Sequence, residues 1–576
     1  MKKHAKEIKI FLLFFVLNAL LFLPRFILDQ PSSDFFPIKD FTAPKESLYD
    51  FLKVFFIRDN YDIFRISADF FALTFLYLYV RRWVHAKWYT IFLYSYFIII
   101  LIYQLYHSVF EHIYKTEPLF YNDWKSIQIG FSIVNQGLTF TAVLIVLGLL
   151  LVFALLFIMV KKVIYLLAEI KVGRALKMLL LSFSLIFIFN LKYKLVQYSA
   201  NTVQIQGLFV ARNIVGSLKT AEQLEKFNLK KLMASNSYIA FNFKKAPNIY
   251  FIAIESYGSV VYKNNELKAK YIHHVDSCAK ALQSEGWISA SNFSVSPVHG
   301  GLSWISYSTI AYGYNFTNQG TYMTLLDDES LDRYDHLFNM LHKKGYRNYR
   351  LAPVPEVGKM TIPWDKYSRF YKADEWIRYK DLQYTGKLYG FGPSPSDQYS
   401  LNFAYDKIKK RGDGPFSLFF ITENSHSPFF APAHTVQNWK DLNDGTQEKI
   451  DDVNFIGLPT LTDYSKAIHY EFDVLTQFIL QYGGEDDIFI LVGDHQPPFI
   501  AKESDGRETP LHIISKNVAF QKSFLSYGFE EGLILSAAAK TMKHEGFYSM
   551  FARELIRHYG ENYLTLPTYY PNGITF

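Results

Sequence analysis

Two parts of different class are predicted: an α-helical membrane domain of about five spans, then an α/β domain outside the membrane, its mostly parallel sheet covered by helices. Three observations lead there. Long apolar runs are confined to roughly the first 195 of 576 residues. After them, short apolar runs alternate with amphipathic stretches. Those short runs then end in carboxylates and histidines. The chain is also too long for one ordinary core, so at least two parts are expected.

Five spans are expected, at about 9–28, 64–80, 88–107, 138–160 and 177–193. Each is near the ~20 apolar residues that cross the hydrocarbon. The first has a basic start, "MKKHAKEIK", but a long apolar run and no small-residue cleavage site, so it reads as a retained anchor. Basic residues fix the orientation. Lys2, Lys3, Lys6 and Lys9 lie at the amino terminus, Arg81, Arg82 and Lys87 after the second span, and Lys161, Lys162, Lys171, Arg174 and Lys177 after the fourth. The first outer loop is acid-rich (Asp29, Asp34, Asp40, Glu46, Asp50, Asp59). The amino terminus is therefore expected inside, and an odd number of spans puts the remainder outside.

The predicted division is 1–195 membrane, 196–246 amphipathic linker and 247–576 outer domain. In the linker, Lys219, Lys226, Lys230 and Lys231 suit either anionic lipid or a solvated helix face. The net charge of +7 is modest, and basic residues of the first part flank apolar runs, which argues for membrane topology and against nucleic acid. Cys278 is the single cysteine, so no disulfide framework is available; it reads as a small buried apolar residue.

In the outer domain, "NIYFIAIES" (248–256), "FSLFFITEN" (416–424) and "DIFILVGDH" (487–495) share one design, and "YRNYRLAPV" (346–354) is a more polar version. Near-continuous apolar strands are buried on both faces of a parallel sheet. Helical stretches fall between and before them at about 265–284, 303–312, 330–344, 398–410 and 462–482. In such sheets ligands bind beyond the carboxyl ends of the strands. Glu255, Glu423 to His426, and Asp494 with His495 all fall at that edge.

An Asp beside a neutral imidazole is a standard pair for zinc, and manganese accepts it too. The same residues also fit a turn-capping Asp and a backbone-bonded His. "HGGLSWISYSTIAYG" (299–313) places two glycines before Ser303 at a predicted helix start, where free N–H groups suit a phosphate. Ser303 fits equally as a plain N-cap. His426, in "ENSHSPF", follows the third strand and closely precedes a proline, where a His can protonate or hydrogen-bond a leaving oxygen.

The order "IESYGS", Gly-Gly-x-Ser before a helix, "NSHSPF" and "VGDHQPP" resembles the alkaline phosphatase and sulfatase superfamily. Five spans ahead of an outer domain resemble its lipoteichoic acid synthase, phosphoglycerol transferase and phosphoethanolamine transferase group, as does "LTDYSKAIHYEFDVLTQFI" (461–479). The resemblance implies that Glu255, Asp494 and His495 bind one divalent metal, manganese or zinc, together with Ser303 as nucleophile. It implies that His426 contacts the substrate phosphate or leaving group. It also implies a basic or aromatic substrate contact, for which Lys359 and Trp364 are the candidates, with Asp397 a further one. Two departures stand out. Thr is usual at the nucleophile of these transferases. The sulfatase C/S-x-P-x-R signal is absent, since Ile305 and Tyr307 occupy its Pro and Arg positions.

The expected function is therefore transfer of a phosphoglycerol or phosphoethanolamine head group from a membrane phospholipid to an envelope glycan or lipid. The expected place is a bacterial plasma (inner) membrane, multi-pass, with the catalytic domain periplasmic or extracellular. The competing expectations are a membrane-bound phosphodiesterase or phosphatase, and a non-catalytic lipid-sensing member of the same fold.

Overall fold

The computed structural model describes residues 5–28, 35–45, 47–58, 61–114, 117–124, 140–171, 173–193, 201–225, 241–316, 319–328, 335–355, 363–390, 393–412, 414–446, 459–561 and 566–574. The chain divides into two compact units, Met1–His112 with Thr116–Thr220, and Ile113–Lys115 with Ala221–Phe576.

The first unit is helical: α1 (Ala5–Leu28), α2 (Ala68–Val80), α3 (Ala86–Tyr114), α4 (Phe140–Glu169), α5 (Arg174–Tyr193) and α6 (Gln206–Glu225). A helix lies at every predicted span. Among the described residues, three are long and apolar enough to cross a membrane: Ala5–Leu28, Ala86–Tyr114 and Leu147–Glu169 within α4. Shorter apolar helices cover Ala68–Val80 and Leu176–Leu185, so three of the five expected spans meet that measure among the described residues. The reason is clear at α2. Its 13 residues rise about 20 Å at 1.5 Å each, short of the ~30 Å hydrocarbon. Residues 64–67, expected within that span, lie outside the helix. Ile66–Ser67 pairs in parallel with Val203–Gln204, and Ser67 caps α2 by accepting the Phe70 N–H. Buried polar groups tie this region together: Asn18 bonds Arg65 and Ser67 through their backbones, and Arg58 pairs with Asp62 at 2.8 Å.

Among the described residues, the second unit is built on one nine-stranded sheet. Its strands are β1 (Ile249–Ile254), β2 (Ile288–Val295), β3 (Arg347–Ala352), β4 (Glu375–Arg378), β5 (Phe416–Ile421), β6 (Ile488–Gly493), β7 (Glu508–Ser515), β8 (Glu530–Glu531) and β9 (Thr541–Lys543). The order is β8-β2-β7-β6-β1-β5-β3-β4, with β9 beside β2. Strands β6, β1, β5, β3 and β4 run parallel. β7 is antiparallel to both β6 and β2. The expectation of a mostly parallel sheet is thus corrected to a mixed one. β2 reads "ISASNFSV", without the apolar run that marks the other strands, and β7 carries Pro510 and His512.

The covering helices are α7 (Asn265–Ser284), α8 (Ser303–Tyr312), α9 (Leu337–Lys343), α10 (Trp364–Phe370), α11 (Asp397–Lys409), α12 (Leu461–Tyr482) and α13 (Phe547–Tyr559). Alternation along β1 shows how they divide. Ile249, Phe251 and Ala253 point into a core shared with α8, α9 and α13. Tyr250, Ile252 and Ile254 point into the opposite core, shared with α7, α11 and α12. All six are fully buried, as a period of two demands of a strand covered on both faces. Each such large apolar side chain contributes about 1.5–3 kcal/mol relative to exposure. The strand ends that carry the polar residues are held rigidly as a result.

Candidate functional site

Register brings the polar ends together. Ile254 pairs with Gly493 and Ala253 with Ile421, so Glu255, Thr422 and Asp494 leave the sheet at one edge. Gly493 has no room for a Cβ, because the Tyr257 carbonyl occupies that position. This close approach packs the turn after β1 against the turn after β6. Ser256 adopts φ +60° there, and its N–H donates to Asp494 Oδ1 at 2.8 Å. The Glu255 N–H donates to Thr422 Oγ1 at 3.0 Å. Gln496 locks the second turn. Its N–H donates to the His299 carbonyl at 2.8 Å, and its side-chain amide donates to Ser259 Oγ at 2.8 Å and the Glu508 carbonyl at 3.0 Å.

Ser303 arrives from the first turn of α8. Gly301 and Leu302 both have positive φ (60° and 56°), and Leu302, not Ser303, is the N-cap. The capping role considered for Ser303 therefore falls to another residue, and the Ser303 side chain turns elsewhere. Its Oγ lies 3.0 Å from Glu255 Oε2 and 3.0 Å from His495 Nε2. His495 Nε2 is 3.3 Å from Glu255 Oε1 and 3.4 Å from Asp494 Oδ2. Ser306, one turn nearer the middle of α8, anchors the helix by donating to the Asp494 carbonyl at 2.5 Å.

These four groups fit a divalent cation. The His495 Nδ1–H donates to the Gln496 carbonyl at 2.8 Å, which leaves the Nε2 lone pair facing the cluster. Asp494 Oδ1 accepts the Ser256 and His495 N–H groups. Its Oδ2 is buried with no hydrogen-bond partner among the described residues. Burial first, and then the facing Glu255 carboxylate, push the Asp494 pKa well above the usual range. Burial also opposes charge on Glu255, but His495 and His426 outweigh it and hold that carboxyl low. Burial lowers the His495 imidazole, yet Asp494 and Glu255 overcome it and raise it to about 9. Two buried carboxylates facing each other call for a cation, and carboxylate, imidazole and hydroxyl donors suit zinc or manganese.

His426 joins from the turn after β5. Its Nδ1–H donates to the Ser427 carbonyl at 2.7 Å, and Nε2 faces Glu255 Oε1 at 3.9 Å. Asp397 stands behind this turn, fully buried. Its Oδ2 accepts the N–H groups of Glu423 and Asn424, both at 2.8 Å.

Lys359 falls outside the described residues. Trp364 packs on Trp376 with ring centroids 4.9 Å apart and lies under Arg378 at 4.3 Å. A basic group that sequence reasoning missed is Arg350, buried in β3 with its guanidinium 3.8 Å from the Phe419 ring centre. A basic residue in the middle of "YRNYRLAPV", the more polar of the four strand segments, was the available signal.

Residues 247–523 match the family model described as Sulfatase. No curated protein matches the chain. Solved structures similar to it include the lipoteichoic acid synthase LtaP from Listeria monocytogenes, at 15% identity, covering 48% of this chain and 69% of that one, with a TM-score of 0.33. The C-terminal periplasmic domain of EptC from Escherichia coli is similar at 12% identity over 55% and 85%, TM-score 0.35. The Streptococcus pyogenes phosphoglycerol transferase GacH, in complex with sn-glycerol-1-phosphate, is similar at 11% identity over 59% and 86%, TM-score 0.33.

Proposed function

We propose, from the match of residues 247–523 to the family model described as Sulfatase, that this protein transfers a phosphoglycerol or phosphoethanolamine head group from a membrane phospholipid to a hydroxyl of an envelope glycan or lipid. The observation that carries the reading is Ser303 Oγ, 3.0 Å from both Glu255 Oε2 and His495 Nε2 at the start of a ten-residue helix. An unmodified serine is favoured because Ile305 and Tyr307 replace the residues that a formylglycine site needs.

Glu255, Ser303, Asp494 and His495 would hold one divalent ion, zinc or manganese. That ion supplies Lewis acidity, which lowers the pKa of a bound hydroxyl and withdraws charge from a phosphoryl oxygen. The chain's own residues do the rest. Glu255 and His495 fix Ser303 Oγ at the strand edge, and the N–H groups opening α8 favour the phosphate charge. Ser303 releases its proton to solvent and its Oγ bonds to phosphorus. The bond from phosphorus to the diacylglycerol oxygen breaks, and His426 Nε2 gives that oxygen a proton. In the second half the acceptor hydroxyl returns a proton to His426 and its oxygen bonds to phosphorus. The bond to Ser303 breaks, and Ser303 regains a proton from solvent. Trp364 is not required by this reading. The apolar helices of the first unit would keep the enzyme with a donor that does not leave the bilayer.

The test is release of diacylglycerol from phosphatidylglycerol or phosphatidylethanolamine labelled in the acyl chains, with the purified full chain in lipid. Wild type is expected to release it and Ser303→Ala is not. Equal release by both would overturn the reading. Free head-group phosphate without an acceptor product would move the assignment to a phosphodiesterase.

A further inference from the structure

A second constellation lies away from the strand edge, between α7 and α12 on one face of the sheet. His274 and Cys278 stand one helical turn apart on α7, and His469 and Asp473 one turn apart on α12, so each pair shares a face of its helix. His274 Nε2 lies 3.0 Å from Asp473 Oδ1 and 3.1 Å from the His469 carbonyl. The His274 and His469 rings stack at 4.3 Å and 11°. One ligand atom each of His274, Cys278 and Asp473 falls within 4.8 Å of the others. Cys278 is buried, while His274 and Asp473 are half-buried, and a 190 Å³ cavity bordered by Leu267, Ser465 and His469 opens alongside.

We propose that His274, Cys278 and Asp473 form a second metal site, of zinc type, that clamps α7 to α12. A thiolate, an imidazole and a carboxylate converging from two helices make a donor set that prefers zinc to magnesium or calcium. Metal entry displaces the Cys278 thiol proton to solvent and leaves the fourth position to water. His469 does not supply it, since the lone pairs of two stacked rings run side by side and do not converge. Its role is to fix the plane of the His274 ring. The clamp has a structural consequence. α7 follows the strand that ends at Glu255, and α12 precedes the strand that ends at Asp494 and His495, so cross-bracing the two helices steadies both strands.

The test uses the full chain in detergent, stripped of metal and reloaded with zinc or with cobalt(II). Wild type is expected to bind one more equivalent of zinc than Cys278→Ser. Its cobalt form should show a near-ultraviolet thiolate-to-metal charge-transfer band that Cys278→Ser lacks. Asp473→Asn, a half-exposed and conservative change, provides a second variant and should also lose one equivalent. Glu255→Gln should keep the thiolate band, which separates this site from the strand-edge cluster. A cobalt-loaded wild type with no thiolate band, or metal content unchanged in both Cys278→Ser and Asp473→Asn, would overturn the proposal and leave His274 and Asp473 as a simple ion pair.

Discussion

Asp397 Oδ2 accepts the backbone N–H groups of both Glu423 and Asn424, each at 2.8 Å, and Asn424 Oδ1 accepts the Asp397 N–H at 2.8 Å in return. Asp397 opens α11, and the turn it grips carries His426. A buried carboxylate far from the four clustered groups in sequence thus sets the position of the imidazole beside them.

Removing that grip gives the first prediction. Asp397→Ala leaves two N–H groups without their acceptor and is expected to cost about 2–6 kcal/mol of stability, at 1–3 kcal/mol for each buried unsatisfied group. Lipid turnover should fall further than stability alone explains, while metal content at the strand-edge cluster stays intact. Calorimetry, elemental analysis and turnover on the same preparation check this. Normal turnover in a folded variant would contradict the positioning role.

His426→Gln tests leaving-group protonation. With a phospholipid, whose alkoxide leaves poorly, the rate should drop about 10²–10⁴-fold. With a nitrophenyl phosphodiester, whose phenolate needs no proton, the drop should be small. Equal losses on both substrates would remove His426 from this step.

Asp494→Asn separates charge from fold. In the metal-free protein, burial and the facing Glu255 carboxylate both oppose charge on Asp494, so removing that charge should raise the melting temperature above pH 9, where His495 no longer carries a compensating proton. The same change should weaken metal binding by more than the roughly 10–100-fold typical of an outer-sphere partner, and the stabilisation that added zinc gives wild type should vanish. A metal-free variant less stable than metal-free wild type would contradict the electrostatic account.

Acid sensitivity follows from three buried histidines. Burial lowers His336, His512 and His544 from 6.5 to about 3, with nearby lysines adding to the effect at His336. Folded-state pKa values are depressed, so below pH 6.5 the unfolded chain takes up protons that the folded chain does not. Their stabilising contribution is full above pH 6.5 and is lost as pH falls toward 3, by up to about 1.4 kcal/mol per pH unit for each group. His512 bonds Ser291 Oγ at 2.7 Å and the Tyr257 hydroxyl at 3.0 Å. His512→Gln should take up about one proton fewer on unfolding near pH 5, measured by titration; uptake equal to wild type would contradict the assignment.

The strand ends were legible because β1, β5 and β6 are apolar runs that stop at Glu255, Thr422 and Gly493, and doubly buried strands need that pattern. Ser303 was legible from two glycines before a helix. Its cap was not, because Leu302 in a left-handed conformation leaves no side-chain signature. β2 and β7 were missed because antiparallel pairing buries the serines of "ISASNFSV" through hydrogen bonds such as Ser291 to His512, without an apolar run. Asp397 was visible only as a residue in "GPSPSDQYS", since its partners lie 26 and 27 residues away. The second helix opens later than its apolar pattern suggests, at Ala68, because Ile66–Ser67 are taken up in pairing with Val203–Gln204.

The most direct measurement is mass spectrometry of the peptide holding residues 299–313, taken from full-chain protein quenched during turnover of phosphatidylglycerol or phosphatidylethanolamine. The account predicts a head-group phosphate on Ser303, absent from Ser303→Ala and from chelator-treated protein. Diacylglycerol release that continues in Ser303→Ala with no adduct in wild type would contradict it.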